Sequence, residues 1–444
     1  MFRPFVLLLF FLPFFVNASI FDEKPAVQNN RGYLFEIHGS NTIGDKLAPA
    51  LLEQWFIQNG LTNPETRLVA ENEKVVSAYS KSNQKISIFI AAHGSGTGFE
   101  KLKSDQADIA AASRPAKQSE NELFPTLDVT DYKHEAVLAI DGIAVIGNAN
   151  LSIHSLNIDQ IGQLFSGKIT NWQSLGGPNL PVSIHARDNN SGTFDTFDTL
   201  VLKRGFKLSS TAIRYESNDV LSTTVSNTPG AIGFTSVASI GSAKALNIID
   251  GDSAPMEPQH ANIATEDYPL ARRLYLYQVN RDNEFVNDFL TFTKSSEGQN
   301  VVAELGFISQ NLTELPMTVK GNLPAGYAFI TEKSNRITTN FRFVPGTKQL
   351  DNKALDDLVR LQTFMLRPEN AGRKLILIGF SNQQKDEFKA RLLSESRVIS
   401  VKRELDKIGV VSSALTGYGQ INPIASNADL KYALRNQRVE VWIR

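Results

Sequence analysis

Ile184-His185-Ala186-Arg187-Asp188-Asn189-Asn190-Ser191-Gly192-Thr193-Phe194 is the stretch whose reading decides the fold. It reads as a strand from Pro181 to Arg187, a polar turn, and a helix running from Ser191 towards Gly205. Phe194, Phe197 and Val201 recur at spacings of three and four and give that helix one apolar face. Ser191 is placed as its N-cap, and Gly192 removes the side chain that would keep a ligand off the backbone. A helix N-terminus offers unpaired N–H groups and a partial positive charge. Arg187, at the end of the strand, can point a guanidinium fork at the same spot. The residues ask for a small oxyanion.

The device recurs. Tyr33 to His38 reads as a strand, followed by Gly39-Ser40-Asn41-Thr42-Ile43-Gly44 and a helix with Leu47, Leu51 and Trp55 on one face. Lys85 to Ala92 alternates Ile86, Ile88 and Ile90 as a strand, then continues through His93-Gly94-Ser95-Gly96-Thr97-Gly98-Phe99 into a short helix. If such ends converge, each contributes up to about 1 kcal/mol and each charge-assisted hydrogen bond roughly 1.5–3 kcal/mol. A handful reaches the roughly 8 kcal/mol that micromolar binding needs. A further strand, Asp108 to Ala112, ends in Ser113-Arg114, and Arg114 is read as another anion contact at the same edge.

At 444 residues the chain is too long for one ordinary core, so two or more domains are expected. A net charge of −1 and the lack of a long basic run argue against nucleic acid as partner. With no cysteine there is neither a disulfide framework nor a thiolate metal site, and no lipid attachment point. Residues 1–18 read as a secretory signal peptide: Arg3, the apolar run Phe5 to Val16, and Val16-Asn17-Ala18 before Ser19. No later segment has the length of a transmembrane helix, so the mature chain is expected in the periplasm. Phe21 to Arg31 reads as a polar, mobile start, and α/β alternation follows to about Ser309.

Over 38–308 the chain resembles the periplasmic phosphate-binding proteins that serve ABC importers. The resemblance rests on Gly39-Ser40-Asn41-Thr42, Gly94-Ser95-Gly96-Thr97-Gly98, Asp108-Ile109 through Ser113-Arg114, and Asp141-Gly142-Ile143-Ala144-Val145-Ile146. It continues in Leu164-Phe165-Ser166-Gly167-Lys168-Ile169-Thr170-Asn171-Trp172, Arg187 to Thr193, Gly230-Ala231-Ile232-Gly233-Phe234, and Gly298-Gln299 to Gly306-Phe307. It implies a two-lobed α/β clamshell over 30–312, with one lobe from 30–137 plus 237–312 and the other from 141–233. Thr42, the N–H of Ile43 and Ser95 would hold the anion from the first lobe, beside Ser113 and Arg114 as read from the strand end above. Arg187, Ser191, the N–H of Gly192, and Thr193 would close on it from the second. One branch of the family follows the strand at Ala110 to Ala112 with a carboxylate that accepts the proton of hydrogen phosphate. Here Ser113-Arg114 stands there instead. Asp141 is then a possible replacement proton acceptor, or equally a hinge carboxylate capped by backbone N–H groups. Phosphate is the expected ligand, with sulfate or another tetrahedral oxyanion as its rival.

Residues 313–335, with Pro316, Gly321, Pro324 and Gly326, read as a linker in which Tyr327 to Ile330 could form a short strand. From 336 a small α/β unit follows: strands Ile337 to Val344, Lys374 to Phe380, near Ala414 to Tyr418, and Val439 to Ile443, with helices from about Asn352 to Leu366 and Lys385 to Ile408. Over 336–444 it resembles the OmpA-like peptidoglycan-binding domain. The resemblance is carried by Phe343 to Leu350, Ile378-Gly379-Phe380-Ser381-Asn382, Leu393-Ser394-Glu395-Ser396-Arg397, Gly417-Tyr418-Gly419 and Asn436-Gln437-Arg438-Val439-Glu440. It implies a wall-peptide pocket at Ser381, Asn382 and Arg397, with Arg397 on a diaminopimelate carboxylate. Asn382 stands where that family has the acid for the ammonium, which implies weaker wall binding. Asp386 is read as a compensating acid or as a helix cap.

No metal-spaced histidine cluster and no cofactor motif occurs. The expectation is therefore a binding protein in phosphate uptake, buffering or sensing, not an enzyme. It would sit in the periplasm of a Gram-negative bacterium, held at peptidoglycan or the outer membrane, with an ABC permease or envelope sensor as further partner. The rivals are a phosphatase using Ser191 with His185 as base, and a structural envelope protein with a degenerate site.

Overall fold

The computed structural model describes residues 19–189, 191–315 and 324–444. The signal peptide expected over 1–18 lies outside the described residues, as do 316–323 of the expected linker. Among the described residues no helix is long and apolar enough to cross a membrane.

One sheet runs through the first 280 residues. Its order is Thr62–Ala70, Glu73–Tyr79, Lys85–Ala91, Glu36–Gly39, Ile109–Ala112, Ala271–Tyr277, Glu135–Gly147, Ala231–Ser236, Ser183–Arg187, Ile213–Tyr215. Glu36–Gly39 pairs parallel with Lys85–Ala91 on one side and Ile109–Ala112 on the other. Ser183–Arg187 pairs parallel with Ala231–Ser236 and Ile213–Tyr215. The central strands Glu36–Gly39, Ile109–Ala112 and Ala231–Ser236 are buried, as strands covered on both faces must be, while the edge strand Ile213–Tyr215 is partly exposed. In the first lobe, helix Ala48–Gln58 supplies Leu51, Leu52, Trp55 and Phe56 to the core. In the second, Phe197 of helix Gly192–Leu200 lies flat on Phe234 with ring centroids 4.0 Å apart, and Phe165 meets it edge-on at 4.7 Å.

The chain crosses from the first lobe to the second on one long strand, Glu135–Gly147. Its first part pairs with Ala271–Tyr277 and its last five residues, Ile143 to Gly147, pair with Ala231–Ser236. The change of partner falls at Asp141-Gly142-Ile143, the hinge.

Three expectations are corrected. The chain does not re-enter the first lobe at 237: Leu246, Ile248, Ile263, Tyr268 and Leu270 fill the second lobe's core beside Leu156, Ile161 and Trp172. Lys244–Ala245 and Asn247–Ile249 pair with second-lobe strands, so the return is made by Ala271–Tyr277. The start is not a loose arm, because helix Ile20–Glu23 seats Phe21 against Trp55 and Phe285, with centroids 5.4 and 5.1 Å away. The expected linker contributes structure: Glu314–Leu315 forms the edge of the C-terminal sheet against Arg336 and Ile337. Ala325–Thr331 is a helix rather than a strand at 327–330, because Tyr327 and Thr331, four apart, share a buried face. Tyr327 meets Phe380 and Trp442 there.

The C-terminal sheet has the order Glu314–Leu315, Asn335–Phe341, Arg438–Ile443, Leu375–Phe380, Ser412–Gly417. Helices Asn352–Met365 and Glu387–Lys407 cover it. Only Leu375–Phe380 and Ser412–Gly417 run parallel; the other pairings are antiparallel.

Gly39, at the mouth of the first strand–turn–helix unit, has φ +133°, and a methyl there would lie 2.1 Å from the Ala111 carbonyl oxygen. Gly39→Ala is expected to cost on the order of 3 kcal/mol through strain and overpacking. A urea midpoint equal to the parent's would refute that account of the turn.

Candidate functional site

The loops at the C-terminal ends of the parallel strands meet where the lobes face each other, the edge at which open α/β sheets carry ligand sites. From the first lobe come Ser40 to Thr42, His93 to Ser95, and Ser113. From the second comes the turn between Arg187 and helix Gly192–Leu200. Ser95 Oγ accepts from the Ser113 amide at 3.2 Å, and the two hydroxyl oxygens lie 3.4 Å apart. The lobes touch here: a Cβ on Gly192 would sit 2.2 Å from Ser113 Oγ and 3.4 Å from Thr42 Oγ1. Ile43 opens the wide helical turn Ile43–Leu47 that leads into helix Ala48–Gln58. Ser40 Oγ and Asn41 Oδ1, just before it, are buried with no hydrogen-bond partner among the described residues. Ser191 caps its helix by accepting from the Phe194 amide at 3.3 Å, and Thr193 is buried beside it.

The residue that laces these parts together is Arg272, on the return strand. Its NH1 donates to the Gly192 carbonyl at 2.6 Å and to Thr196 Oγ1 at 3.1 Å. Its NH2 donates to Thr193 Oγ1 at 3.2 Å and to Thr42 Oγ1 at 3.4 Å, reaching both lobes. Nε and NH2 both bond Asp141 Oδ2, at 3.0 and 2.6 Å. Sequence reasoning missed it. The signal was Arg272-Arg273 inside an otherwise apolar strand, since buried charges need partners.

Asp141 is therefore a hinge carboxylate and not a free proton acceptor. Its second oxygen accepts from Ser236 Oγ and from the Gly142 amide, each at 2.8 Å, so both oxygens are engaged. Arg114 is likewise held by carboxylates. Its guanidinium binds Glu120 at 2.7 and 2.8 Å and reaches Asp195 of the other lobe at 2.9 Å, closing the cleft as an ion-pair latch.

Arg187 is different. It is almost fully buried, and its Nε donates to the Tyr215 carbonyl at 3.2 Å. Its other nitrogens meet Asn218 Oδ1 and the Glu216 carbonyl, and Asp188 lies 4.0 Å away. Burial depresses its pKa, and the positive charge of Arg272 adds to that against the opposing pull of Asp188. Of the two guanidinium groups, Arg272 bonds the N-terminal turn of helix Gly192–Leu200, while Arg187 bonds the Tyr215 to Asn218 segment. His185 offers Ser191 no base: Nδ1 is 2.9 Å from Tyr215 Oη and Nε2 is 3.0 Å from Ser183 Oγ, while burial holds the imidazole below its ordinary pKa.

In the C-terminal unit, Ser381 Oγ donates to the Asn382 carbonyl at 3.0 Å. Asn382 Oδ1 accepts from Gln437 at 2.9 Å and from Gln384 at 3.2 Å. Arg397 is 7% exposed, and its Nε and NH1 have no hydrogen-bond partner among the described residues. The ring of Phe343 lies 5.7 Å from its guanidinium carbon, and burial pushes its pKa down to about 10. Asp386 is exposed and accepts from the Phe388 amide at 2.9 Å, so it caps the helix. Among the described residues no group of three or more His, Asp or Glu could hold a metal ion.

Comparison with known proteins matches residues 69–297 to the model of the PBP superfamily domain and residues 342–437 to that of the OmpA family. Protein SphX of Synechococcus elongatus is 28% identical over 305 residues, covering 66% of this chain and 85% of that protein. The phosphate-binding protein PstS of Borreliella burgdorferi is 27% identical over 245 residues, covering 53% of this chain and 84% of the relative. Among solved structures, an ABC-type phosphate transport receptor from Vibrio cholerae aligns at 28% identity with a TM-score of 0.49, over 62% of this chain and 99% of that one.

Asp141→Ala should destabilise the lobes by about 3–5 kcal/mol, because it leaves the Arg272 guanidinium buried without its counter-charge. Combining it with Arg272→Met should recover much of that loss in a double-mutant cycle read by calorimetric unfolding. Strictly additive losses would show that the two side chains do not act as a pair.

Proposed function

The chain belongs to the PBP superfamily, and we propose that its two lobes close on phosphate while its C-terminal unit holds it to peptidoglycan. The observation that carries this reading is a buried excess of positive charge at the cleft: Arg272 is neutralised by Asp141, whereas Arg187 is held mainly by neutral oxygens. A tetrahedral anion would supply the missing charge. Thr42, the Ile43 N–H, Ser95 and Ser113 are assigned to it from the first lobe, and Arg187, Ser191, the Gly192 N–H and Thr193 from the second. Arg272, paired with Asp141, ties the lobes around them. Three or four charge-assisted hydrogen bonds at roughly 1.5–3 kcal/mol each cover the roughly 8 kcal/mol of micromolar affinity.

With Asp141 engaged at the hinge, the proton of hydrogen phosphate falls to neutral oxygens. Discrimination against sulfate is then weaker than a dedicated carboxylate would give. The relatives named for binding phosphate favour phosphate as the physiological ion. Binding is preferred to hydrolysis because His185 is turned away from Ser191.

Ser381, Asn382 and Arg397 are assigned to the wall peptide, with Arg397 on a carboxylate. An exported chain built this way would sit in the periplasm of a Gram-negative cell at the wall or outer membrane. There it would deliver phosphate to an ABC permease, buffer it, or report it to an envelope sensor.

Titration calorimetry of the full chain with phosphate, sulfate, arsenate and molybdate tests the cleft. Heat with phosphate is expected, and Arg187→Ala should weaken it by about 2–4 kcal/mol. No heat with any of the four ions would end the receptor reading. For the wall, Arg397→Ala should abolish sedimentation with isolated peptidoglycan and Asn382→Asp should strengthen it. Retention indifferent to both would remove the pocket assignment.

A further inference from the structure

The C-terminal unit packs across the hinge and touches both lobes. On the first lobe, Asp356 of helix Asn352–Met365 accepts from Tyr132 Oη at 2.7 Å and pairs with Lys294 at 3.0 Å. Asn352 Nδ2 donates to the Thr130 carbonyl at 2.8 Å and to Glu135 at 2.9 Å. On the second lobe, the Arg204 guanidinium lies 3.6 Å from the centre of the Tyr432 ring. Arg435 donates to the Glu266 carbonyl at 3.0 Å and to those of Tyr268 and Pro269. Asn340 Nδ2 donates to the Thr265 carbonyl at 2.7 Å and to Asp267 at 2.8 Å.

The joint runs through the strand that carries Arg272. Successive residues of a strand point to opposite faces. Arg272 points at the cleft; Arg273 points at the C-terminal unit, holding Glu266 at 2.6 and 2.9 Å and Asp351 at 2.9 Å. Asp351 is also the N-cap of helix Asn352–Met365, accepting from the Ala354 amide at 2.8 Å. One step along the backbone therefore separates the cleft's guanidinium from the cap of the C-terminal unit's helix.

A rigid body seated on both halves of a hinge resists their separation, because opening must break one seat or the other. The seats seen here belong to a closed cleft, with Arg114 latched to Asp195 across it. We infer that the C-terminal unit is an intramolecular clasp that holds the lobes closed and slows the release of the bound anion. The inference rests on the reading of the cleft as a phosphate site. An anion gripped by both lobes binds the closed state, so whatever adds to the closed population raises affinity and lengthens residence. The wall-binding unit would then govern retention of the cargo as well as its location.

The test uses the full chain with Lys294→Asp, which breaks the first seat, and Tyr432→Ala, which breaks the second. Two quantities are read: the dissociation rate of phosphate, and hydrogen exchange at the amides of Gly192 to Phe194 without phosphate. Both variants should release phosphate faster, within the roughly 5- to 150-fold span of typical couplings, and should exchange faster. Pairing Lys294→Asp with Asp356→Lys should restore the parent's behaviour. Folded variants that release and exchange like the parent would overturn the clasp. If the parent itself binds no phosphate, the cleft reading fails, and exchange alone still decides whether the seats hold the lobes. Should Tyr432→Ala not fold, the Lys294 charge swap carries the test.

Discussion

The Asp141–Arg272 pair at the hinge is the interaction on which the rest of the binding unit depends. A carboxylate and a guanidinium taken out of water gain little over apolar side chains unless every remaining lone pair and proton is used. Here they are used. Ser236 and Gly142 take up the rest of the carboxylate, and Gly192, Thr193, Thr196 and Thr42 take up the rest of the guanidinium. The pair thereby fixes the crossing strand, the return strand and the helix N-terminus in one register. That register makes the cleft a defined place rather than a gap between two bodies.

Buried charges elsewhere in the chain divide into two kinds. Some are paired with an opposite charge. Glu440 accepts from Arg438, Tyr327 and Trp442 and pairs with Arg336 at 2.5 Å. Burial would raise its pKa, yet the two arginines keep it below the ordinary carboxylate value. Asp357 sits in the same way between Lys353 and Arg360, and Arg114 between Glu120 and Asp195. Against this background Arg187 and Arg397 stand out: Arg187 is held by neutral oxygens with the Asp188 carboxylate only at 4.0 Å, and Arg397 has no ion pair among the described residues. A fold that pairs its structural charges so consistently leaves a guanidinium uncompensated at a cost, and that cost is recovered when an anion arrives. The two arginines mark the two proposed sites, one in each unit.

The union of these units also gives the architecture a mechanical character. The helix Asn352–Met365 and the segment around Tyr432 and Arg435 grip opposite lobes, with Arg336 and Arg342 of the C-terminal unit over the Glu266-Asp267 turn between them. These ion pairs are largely buried, and several gathered around one turn do not act independently.

What the sequence determined by itself was local. Strand–turn–helix units, the cap at Ser191, the cap at Asp386, the two-unit division and the families they resemble were all legible, because each is a signal between residues a few positions apart. The tertiary structure decided the rest. Arg272 finds Asp141 across 131 positions, and Arg114 finds Asp195 across 81. Leu246 to Leu270 join the second lobe only because that core offers them an apolar surface, and Glu314-Leu315 leave the linker to become the edge of a sheet beside Arg336 and Ile337. Whether a buried charge is a ligand contact, a latch or a hinge depends on which opposite charge the fold brings within about 3 Å, the range in which a charge-assisted hydrogen bond forms. That distance is set by the packing of elements far apart in the chain, and no local pattern of residues encodes it.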